Sequence, residues 1–262
     1  MSDQLLVKIE DHICTLTINR PEKRNSLSPD LLEELLAVME ELKAGDEARV
    51  VVIRGAGDKA FCAGYDISSI PTSRAREDNS GQNLLEMSLN SVYTFPYPVI
   101  GMLNGFTVGA GLDLSANCDL RIACDTAMLG ITPAKLGVIY HPDGLQRFIN
   151  LVGPASTKDL FYTGRLITAQ RAKEIGLVDQ VVPADRLEET VMSLAGEIAG
   201  NAPLSVKGHK HIINYLVRAK ANLTGPEEEE IKEMIFRAFN SEDLAEGRKA
   251  FLEKRKPVFK GR

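Results

Sequence analysis

The sequence lacks the features that a disulfide framework, a metal centre or a membrane span would require. Its 262 residues include four cysteines, none of them in a C-x-x-C pair, and no tryptophan. So few cysteines are typical of reduced cytosolic thiols, and no His/Cys/Asp cluster has the spacing of metal ligands, so we expect no metal. No stretch approaches about 18 uninterrupted apolar residues, which predicts no membrane span. The acidic start MSDQLLVKIED is not typical of a signal peptide.

An excess of positive charge is also missing. Lysine and arginine number 31 against 36 aspartates and glutamates, a net charge of −5, so nothing draws the whole molecule toward nucleic acid or an anionic membrane. The composition is that of an ordinary globular protein, with 44% hydrophobic and 26% charged residues, which excludes intrinsic disorder. We therefore expect a cytoplasmic globular protein without a nucleic-acid or membrane partner.

Strand-like and helix-like patterns alternate through the first two thirds of the chain. A β-rich hairpin over residues 5–19 precedes a helix that Ser28 caps, Pro29 begins and Gly45 ends. Further strands are predicted over residues 50–54, 98–103, 119–124, 128–131 and 178–182. Further helices are predicted over residues 107–117 and 168–176. Strands and helices in this alternation favour parallel βαβ units, and therefore an α/β fold.

The last third of the chain has a different pattern. It is helical throughout, over residues 185–200, 203–219, 226–240 and 241–254. We therefore divide the chain into an α/β core, residues 1–184, and a helical C-terminal region, residues 185–262. The polar segment 68–82 is rich in helix and strand breakers and predicts a mobile loop.

Two glycine-containing segments have the pattern of a chemical site, KAFCAGYDI at 59–67 and NGFTVGAGLDLSANCD at 104–119. Each follows a buried-strand pattern and places glycine where a strand turns into a helix. The unpaired N–H groups at such a turn can point at a developing negative charge, so two turns side by side would form an oxyanion hole. By themselves, Gly109 and Gly111 favour the simpler interpretation that they only permit a tight turn and close helix packing. A dinucleotide-binding motif matches poorly, because Leu114 replaces its third glycine.

Together with other segments, these two resemble the crotonase superfamily, also called enoyl-CoA hydratase/isomerase. The matching segments are INRPEKRNSLS (18–28), FCAGYDI (61–67), NGFTVGAGLDLSANCDLRIA (104–123), LQRF (145–148), LITAQRAKEIGLVDQVV (166–182) and SEDLAEGRKAFLEKRKPVF (241–259). The resemblance covers nearly the whole chain. It implies an α/β crotonase (ClpP-like) fold, a spiral of ββα repeats with a helical C-terminal trimerisation region. It also implies a homotrimer or a dimer of trimers.

The resemblance further implies an acyl-CoA thioester as the substrate, with coenzyme A as part of that substrate and no bound prosthetic group. It places the two oxyanion donors on the backbone N–H groups of Tyr65 and Ala110. The residues that it assigns to the coenzyme A part are Arg24, Ala60, Phe61, Cys62, Ala63, Asp66, Ile67, Phe251 and Lys254. The basic C-terminal tail is also consistent with an ordinary solvated terminus.

Departures from the family pattern bear on the reaction. Hydratases of this family hold one water between two glutamates, and this chain has Asp113 at the first position and Pro133 at the second. The glycine that leaves room for the water is replaced by His141. Hydration requires one group to activate water and another to protonate the α-carbon. The loss of the second carboxylate therefore argues against efficient hydration.

The segment TPAKLGVIY at 132–140 and the C-terminal tail are similar to those of methylmalonyl-CoA decarboxylase-like members of the superfamily. Those members carry His and Glu where this chain has Tyr65 and Asp113. Decarboxylation of a β-carboxy thioester needs no general base. It needs an oxyanion hole, an apolar environment for the leaving carboxylate and a donor that orients it, for which we select Tyr140. The full candidate catalytic set is Tyr65, Ala110, Asp113, Tyr140, Thr132 and His141.

The leading hypothesis is therefore an acyl-CoA lyase that decarboxylates a short malonyl-type CoA thioester. The alternative is an enoyl-CoA hydratase that uses Asp113, alone or with Tyr140, followed by an isomerase or a hydrolase in which His141 or Asp113 activates water. Each of these side chains also has a plainer interpretation: an ion-paired Asp113, a pocket wall at Tyr140, a structural His141. A non-enzymatic RNA-binding or scaffold member is disfavoured by the acidic net charge and the intact family motifs.

Overall fold

The computed structural model describes residues 3–45, 47–66, 69, 84–218, 229, 232–233, 236–237 and 239–258. The strands in those ranges are β1 (Leu5–Glu10), β2 (Ile13–Ile18), β3 (Val50–Gly55), β4 (Ala60–Cys62), β5 (Val99–Leu103), β6 (Phe106–Val108), β7 (Leu120–Cys124), β8 (Met128–Gly130), β9 (Ile167–Thr168) and β10 (Gln180–Val182). The α-helices are α1 (Pro29–Ala44), α2 (Leu84–Tyr93), α3 (Ala110–Ala116), α4 (Pro142–Thr163), α5 (Ala169–Glu174), α6 (Leu187–Ala199), α7 (Pro203–Arg218) and α8 (Glu242–Leu252).

The strands form two sheets between which the chain alternates. One sheet has six strands in the order β1-β2-β3-β5-β7-β10, and the other has four in the order β4-β6-β8-β9. The β1–β2 and β8–β9 pairs are antiparallel, and the remaining pairs are parallel. Each of β3, β5 and β7 lies in the first sheet and is followed by a strand of the second. This arrangement is the predicted spiral of ββα repeats, and the α/β fold is confirmed.

Helix α1 begins and ends where the local sequence signals predict. The Ser28 side chain accepts a hydrogen bond from the Leu31 N–H, Pro29 is the first helical residue and Gly45 follows the last. The buried stripe of α1 consists of Leu31, Leu32, Leu35, Val38, Met39 and Leu42. Such spacing places one apolar face of the helix against the core.

The predicted helix over residues 107–117 starts too early. Thr107 lies in β6, which pairs with β4 and β8, and α3 begins at Ala110. Gly109 separates the two elements with a backbone φ of 55° and ψ of −126°, a conformation that favours glycine. A strand of three residues is too short to establish the alternating pattern of a strand, which is why small residues here resemble a helix.

Two helices near the site, α2 and α4, were not predicted from the pattern. Helix α4 contains a kink at Gly153, where φ is 71° and ψ is 168°, followed by Pro154. These two residues interrupt the helical period of the sequence at the middle of the element.

The C-terminal elements pack onto the core where the structure describes them. Helix α6 contacts β2, β3, β5 and β7, and the division of the chain at residue 184 stays a prediction. Helix α7 is held by Lys210, whose Nζ donates to the Tyr97 carbonyl oxygen (2.9 Å) and to Asp119 Oδ2 (2.6 Å). Among the described helices, none combines the length and apolarity needed to cross a membrane. The predicted loop 68–82 lies outside the described residues except for Ser69, and the predicted helix 226–240 is described only in part.

Candidate active site

Two glycine turns bring the backbones after β4 and β6 side by side. The two strands are parallel neighbours, and each ends at a glycine with positive φ, Gly64 at 109° and Gly109 at 55°. A Cβ added at Gly64 would lie 3.7 Å from the Ala110 nitrogen and 3.1 Å from the Val108 carbonyl oxygen. The absence of side chains at both turns therefore allows the segments that carry Tyr65 and Ala110 to approach each other.

The N–H groups of Tyr65 and Ala110 have no hydrogen-bond acceptor in the described part of the chain. Leu27 pairs with the residues on either side of Tyr65: its N–H donates to the Gly64 carbonyl, and its own carbonyl accepts from the Asp66 N–H, both at 2.8 Å. The N–H of Tyr65 itself therefore points away from Leu27. Ala110 is the first residue of α3, where an N–H has no acceptor within the helix. Two free donors at adjacent turns are suited to hold the oxygen of a thioester enolate.

Two asparagines hold β4 and the connection that leads into it from β3. Asn25 donates through Nδ2 to the Ala60 carbonyl (2.7 Å). Asn104 accepts from the Gly55 N–H (3.1 Å) and donates to the Gly57 carbonyl (2.7 Å). Both side chains are buried, so these hydrogen bonds form in surroundings where an unpaired polar group would be costly. Both asparagines lie in the matching family segments, but nothing in the sequence pattern predicts this supporting role.

A cavity of about 120 Å³ lies beside the first turn of α3, between α2 and α4. Its lining residues are Leu85, Glu86, Leu89, Asn90, Asp113, Val138, Ile139, Tyr140, His141, Asp143, Gly144, Arg147 and Phe239. Three candidate catalytic residues, Asp113, Tyr140 and His141, therefore share one cavity. Glu86 and Arg147 share it as well, and both were missed by sequence reasoning.

Asp113 is the most buried carboxyl group of the cavity, with 7% of its surface exposed. Burial raises its pKa to about 6, an effect that the charge of Arg147 opposes and that of Glu86 reinforces. Gly144 faces it, since a Cβ added there would lie 3.7 Å from Asp113 Oδ2. A carboxyl group with a pKa close to neutrality can both accept and donate a proton under physiological conditions.

Tyr140 is held by aromatic packing. Its ring meets that of Phe161 edge-on at 5.2 Å between centroids, and Phe161 packs in the same way on Phe148. Burial raises the pKa of the Tyr140 hydroxyl well above its ordinary value, and the charges of Asp113 and Cys62 act in the same direction. The hydroxyl therefore keeps its proton and is available as a neutral hydrogen-bond donor.

Glu86 and Arg147 enter the cavity from α2 and α4. Glu86 lies in the first turn of α2, and the guanidinium carbon of Arg147 lies 5.2 Å from the centroid of the Tyr93 ring, also on α2. Arg147 belongs to the LQRF segment of the family resemblance, so a signal for it was present. Glu86 lies in a segment that the resemblance did not include, and an amphipathic pattern alone assigns a helical glutamate to the solvent face.

Arg24 lies next to the end of β4. Its carbonyl oxygen accepts from the Ala63 N–H at 3.0 Å, and its guanidinium carbon stands 5.8 Å from the ring centroid of Phe106. The side chains of Phe61 and Cys62 are fully buried. Ala60 is buried as well, so of these four residues only Ala63, which is half-buried, has surface open to a ligand.

The other residues assigned to the coenzyme A part are placed differently. The Asp66 carboxylate forms an ion pair with Arg20 at 3.2 Å, and Ile67 lies outside the described residues. Phe251 and Lys254 lie at the end of α8, where the Phe251 side chain is 58% exposed. Within the described ranges, no hydrogen bond, ion pair or ring contact joins either of them to Arg24.

The histidine, cysteine and acidic side chains of the described residues were compared with the requirements of a metal site and of a reactive thiol. Among the described residues, no group of three or more histidine, cysteine, aspartate or glutamate side chains is arranged to hold a metal ion. All four cysteines are buried and form no disulfide. Burial raises the pKa of the Cys62 thiol to about 12, so it is not a reactive thiolate.

Comparison with known proteins assigns the family. The pattern of the enoyl-CoA hydratase/isomerase family matches residues 8–262. The chain belongs to this family. A short-chain-enoyl-CoA hydratase of Clostridium acetobutylicum is 34% identical over 97% of this chain and 96% of its own length. A solved methylmalonyl-CoA decarboxylase in complex with 2-nitronate-propionyl-CoA covers 100% of both chains at 31% identity and a TM-score of 0.93. An enoyl-CoA hydratase of Bacillus anthracis, 35% identical over 99% of this chain and 100% of that chain, has a TM-score of 0.76.

Membership makes the chain an acyl-CoA-processing enzyme of the crotonase superfamily. The relatives named hydratase and decarboxylase differ little in their identity to this chain, 34–35% against 31%, so identity does not resolve the reaction. The segment after β8 carries the departures from the family pattern. Thr132 Oγ1 would lie 3.6 Å from a Cβ added at Gly109. Pro133 is buried and begins a short 3₁₀ turn. The His141 side chain is 45% exposed, and its Nδ1 lies 3.9 Å from Asp143.

Proposed function

We propose that this enzyme is an acyl-CoA lyase that decarboxylates a short malonyl-type CoA thioester. The observation that carries the proposal is the pair of free N–H groups on Tyr65 and Ala110. Ala110 lies one turn of α3 before Asp113, which lines the same cavity as Tyr140. The thioester oxygen accepts both N–H groups. The bond between the α-carbon and the carboxylate carbon then breaks, CO2 leaves, and the electron pair forms an enolate whose oxygen the donors stabilise. The α-carbon finally receives a proton.

Tyr140 orients the leaving carboxylate in this scheme. Its hydroxyl remains protonated because burial raises its pKa, so it donates a hydrogen bond to one carboxylate oxygen. Val138, Ile139 and Leu89 provide apolar walls in the same cavity. Removing water from the carboxylate favours its conversion to neutral CO2, because the charge moves to the enolate oxygen between the backbone donors.

The structural comparison supports this choice over hydration. The TM-score is 0.93 with the decarboxylase and 0.76 with the hydratase of Bacillus anthracis, although the latter has the higher sequence identity. The proline at position 133 supports it too, because decarboxylation does not need the carboxylate that hydratases carry there.

The rest of the expected assembly is part of the proposal. Coenzyme A enters as part of the substrate, without a prosthetic group, and its binding residues are those that the family resemblance assigns: Arg24, the backbone of residues 60–63, Asp66, Ile67, Phe251 and Lys254. A homotrimer or a dimer of trimers is supported by large apolar side chains that α7 and α8 expose. These are Leu204, Ile212, Ile213, Tyr215, Leu216, Phe251 and Leu252. An accumulation of exposed large apolar side chains favours a subunit interface over free surface. The cytoplasm remains the expected location.

Enoyl-CoA hydration is the second candidate. The observation that favours it is that Glu86 lines the same cavity as Asp113. Two carboxyl groups facing one small cavity meet the general requirement of hydration for one group that activates water and another that protonates the α-carbon. Glu86 comes from α2, however, and not from the position after β8 that the family pattern uses.

A mass-spectrometric turnover panel separates the two reactions. The purified enzyme is offered methylmalonyl-CoA, malonyl-CoA, ethylmalonyl-CoA, crotonyl-CoA and a longer enoyl-CoA. We expect loss of CO2 from at least one malonyl-type thioester, with crotonyl-CoA unchanged. Rapid addition of water to crotonyl-CoA without CO2 loss would replace the decarboxylase proposal by hydration.

A further inference from the structure

Helix α2 turns a carboxylate toward the active-site cavity. Leu85, Glu86, Leu89 and Asn90 form one strip along this helix and line the cavity together. Glu86 is half-buried, whereas its neighbour Met87 is 40% exposed. An amphipathic surface helix normally presents its charged side chains to water and its apolar side chains to the interior. The reversal at these two positions indicates that Glu86 serves the cavity and not the solvent face.

No structural partner accounts for Glu86. It forms no hydrogen bond and no ion pair with another residue of the described ranges. A half-buried carboxylate loses part of its hydration, which costs free energy unless other groups compensate. Arg147 is the arginine that lines the same cavity, and its guanidinium carbon lies 5.2 Å from the centroid of the Tyr93 ring. Glu86 therefore remains available to a ligand that enters the cavity.

Glu86 and Asp113 face the same small space. Helices α2 and α3 pack against each other, and both carboxyl groups line a cavity of about 120 Å³. The other titratable or charged groups that face it are Tyr140, His141, Asp143 and Arg147. Of the three acidic side chains, Asp143 is 74% exposed, so it is the least suited to act on a bound acyl group.

We propose that Glu86 is a second proton-transfer residue, which together with Asp113 moves protons to and from the α-carbon of the bound acyl-CoA. The proposal rests on the proposed enolate chemistry. In one direction an ionised carboxylate takes the α-hydrogen, the C–H bond breaks, and its electron pair forms the enolate held by Tyr65 and Ala110. In the other direction the carboxylic acid returns the proton and the C–H bond forms. After loss of CO2, only the second direction is needed.

This pair compensates for the proline at position 133. The family pattern supplies the second carboxylate from the segment after β8, and this chain supplies one from α2 on another side of the cavity. Since proton transfer follows C–C cleavage in decarboxylation, Glu86 affects what happens to the enolate and not how fast CO2 is released. The two steps can therefore be measured separately.

The test is exchange of the α-hydrogens of propionyl-CoA and butyryl-CoA in D2O, followed by mass spectrometry. These saturated thioesters can neither lose CO2 nor add water, so uptake of deuterium reports proton transfer alone. We expect exchange by the wild-type enzyme, a rate at least tenfold lower in Glu86→Gln and in Asp113→Asn, and partial recovery in Glu86→Asp. The control Met87→Gln changes the adjacent, outward-facing position on the same helix and should exchange at the wild-type rate.

Two results would overturn the proposal: wild-type exchange in a Glu86→Gln variant whose circular dichroism shows an intact fold, or no exchange of either thioester by the wild-type enzyme. Failure of the proposed function gives a different result. Exchange that depends on Glu86, combined with no CO2 loss from any malonyl-type thioester, would retain the proton-transfer pair and reject decarboxylation.

Discussion

The carboxyl group of Asp113 is held in surroundings that oppose its ionisation. It lies in the first turn of α3, where the helix N-terminus favours a negative charge by about 0.3–1 kcal/mol, and the charge of Arg147 adds to that preference. Burial outweighs both, because a pKa of about 6 in place of the ordinary 3.8 corresponds to about 3 kcal/mol against the ionised form. The same carboxyl group is thereby able to take part in proton transfer near neutral pH.

Two substitutions should separate the candidate reactions. Asp113→Asn removes the carboxylate that hydration requires, so any hydration of crotonyl-CoA should be lost while CO2 release stays within about threefold of wild type.

Tyr140→Phe removes a hydrogen bond to a charged group, worth about 1.5–3 kcal/mol, and should lower kcat for CO2 release roughly 10- to 100-fold. Steady-state kinetics on both substrates measure these effects.

The matched controls for these variants change exposed residues of the same type. Asp125→Asn and Tyr162→Phe alter side chains outside the cavity, and Tyr162 is 74% exposed, so both should keep wild-type kinetics. An equal loss of CO2 release in Asp113→Asn would mean that the carboxylate acts before C–C cleavage. Wild-type kcat in Tyr140→Phe would remove the hydroxyl from the mechanism.

Site residues that belong to a family motif could be predicted from the sequence. Site residues that come from other segments of the chain could not. Asp113 and Tyr140 lie in segments that resemble the family, and the structure places both in one cavity. Glu86 lies on a helix that the sequence pattern did not predict, and its inward direction depends on how α2 packs against α3. That packing is a tertiary property that helical periodicity alone does not contain.

At the scale of elements, the site depends on short strands that end in glycine turns. β4 and β6 have three residues each, so their side chains contribute little to a recognisable pattern, and the sequence assigned Thr107 to a helix. Helix α1 is longer and carries a cap at each end, and it was predicted correctly. The difference is physical: α1 is specified by its own residues, whereas β4 and β6 depend on pairing with neighbouring strands and β4 also on the Asn25 side chain.

Close packing of α3 on β4 gives a prediction for Gly111. A Cβ added at Gly111 would overlap the carbonyl oxygen of Cys62, so Gly111→Ala should push α3 away from β4 and displace the Ala110 N–H. We expect a loss of roughly 1–3 kcal/mol in the free energy of unfolding and a kcat at least tenfold lower. Urea denaturation and steady-state kinetics measure the two effects.

Gly196 provides the control for this substitution because it is also a helical glycine, in α6, but has no atom within 4 Å of an added Cβ. Gly196→Ala should leave kcat unchanged and leave stability equal or up to about 1 kcal/mol higher. Wild-type kcat in Gly111→Ala would mean that the oxyanion donors tolerate movement of α3, against the proposed role of the two glycine turns.

At the scale of the whole molecule, alternation between two sheets brings distant segments to one site. Because β4 and β6 are parallel and adjacent, the turns that follow them meet, although Gly64 and Gly109 are far apart in the chain. The sequence predicted this spiral through its family resemblance. Long-range ion pairs such as Lys210 with Asp119, at 2.6 Å, could not be predicted from the sequence, because only the folded chain shows which charged side chains meet.

The stability of the whole molecule should depend on pH through Asp113. Its pKa is about 6 in the folded protein and near the ordinary 3.8 when unfolded, so the folded state binds more protons between these values. The free energy of unfolding contributed by this group therefore falls as the pH rises from about 4 to about 6 and is constant above that range. Asp113→Asn removes the dependence and should be more stable than wild type by about 1–3 kcal/mol at pH 7, with little difference at pH 4. Urea denaturation of both proteins at pH 4, 5, 6 and 7 measures this difference in the free energy of unfolding, and Asp125→Asn is the control. A difference between wild type and Asp113→Asn that stays the same at all four pH values would contradict the raised pKa of Asp113.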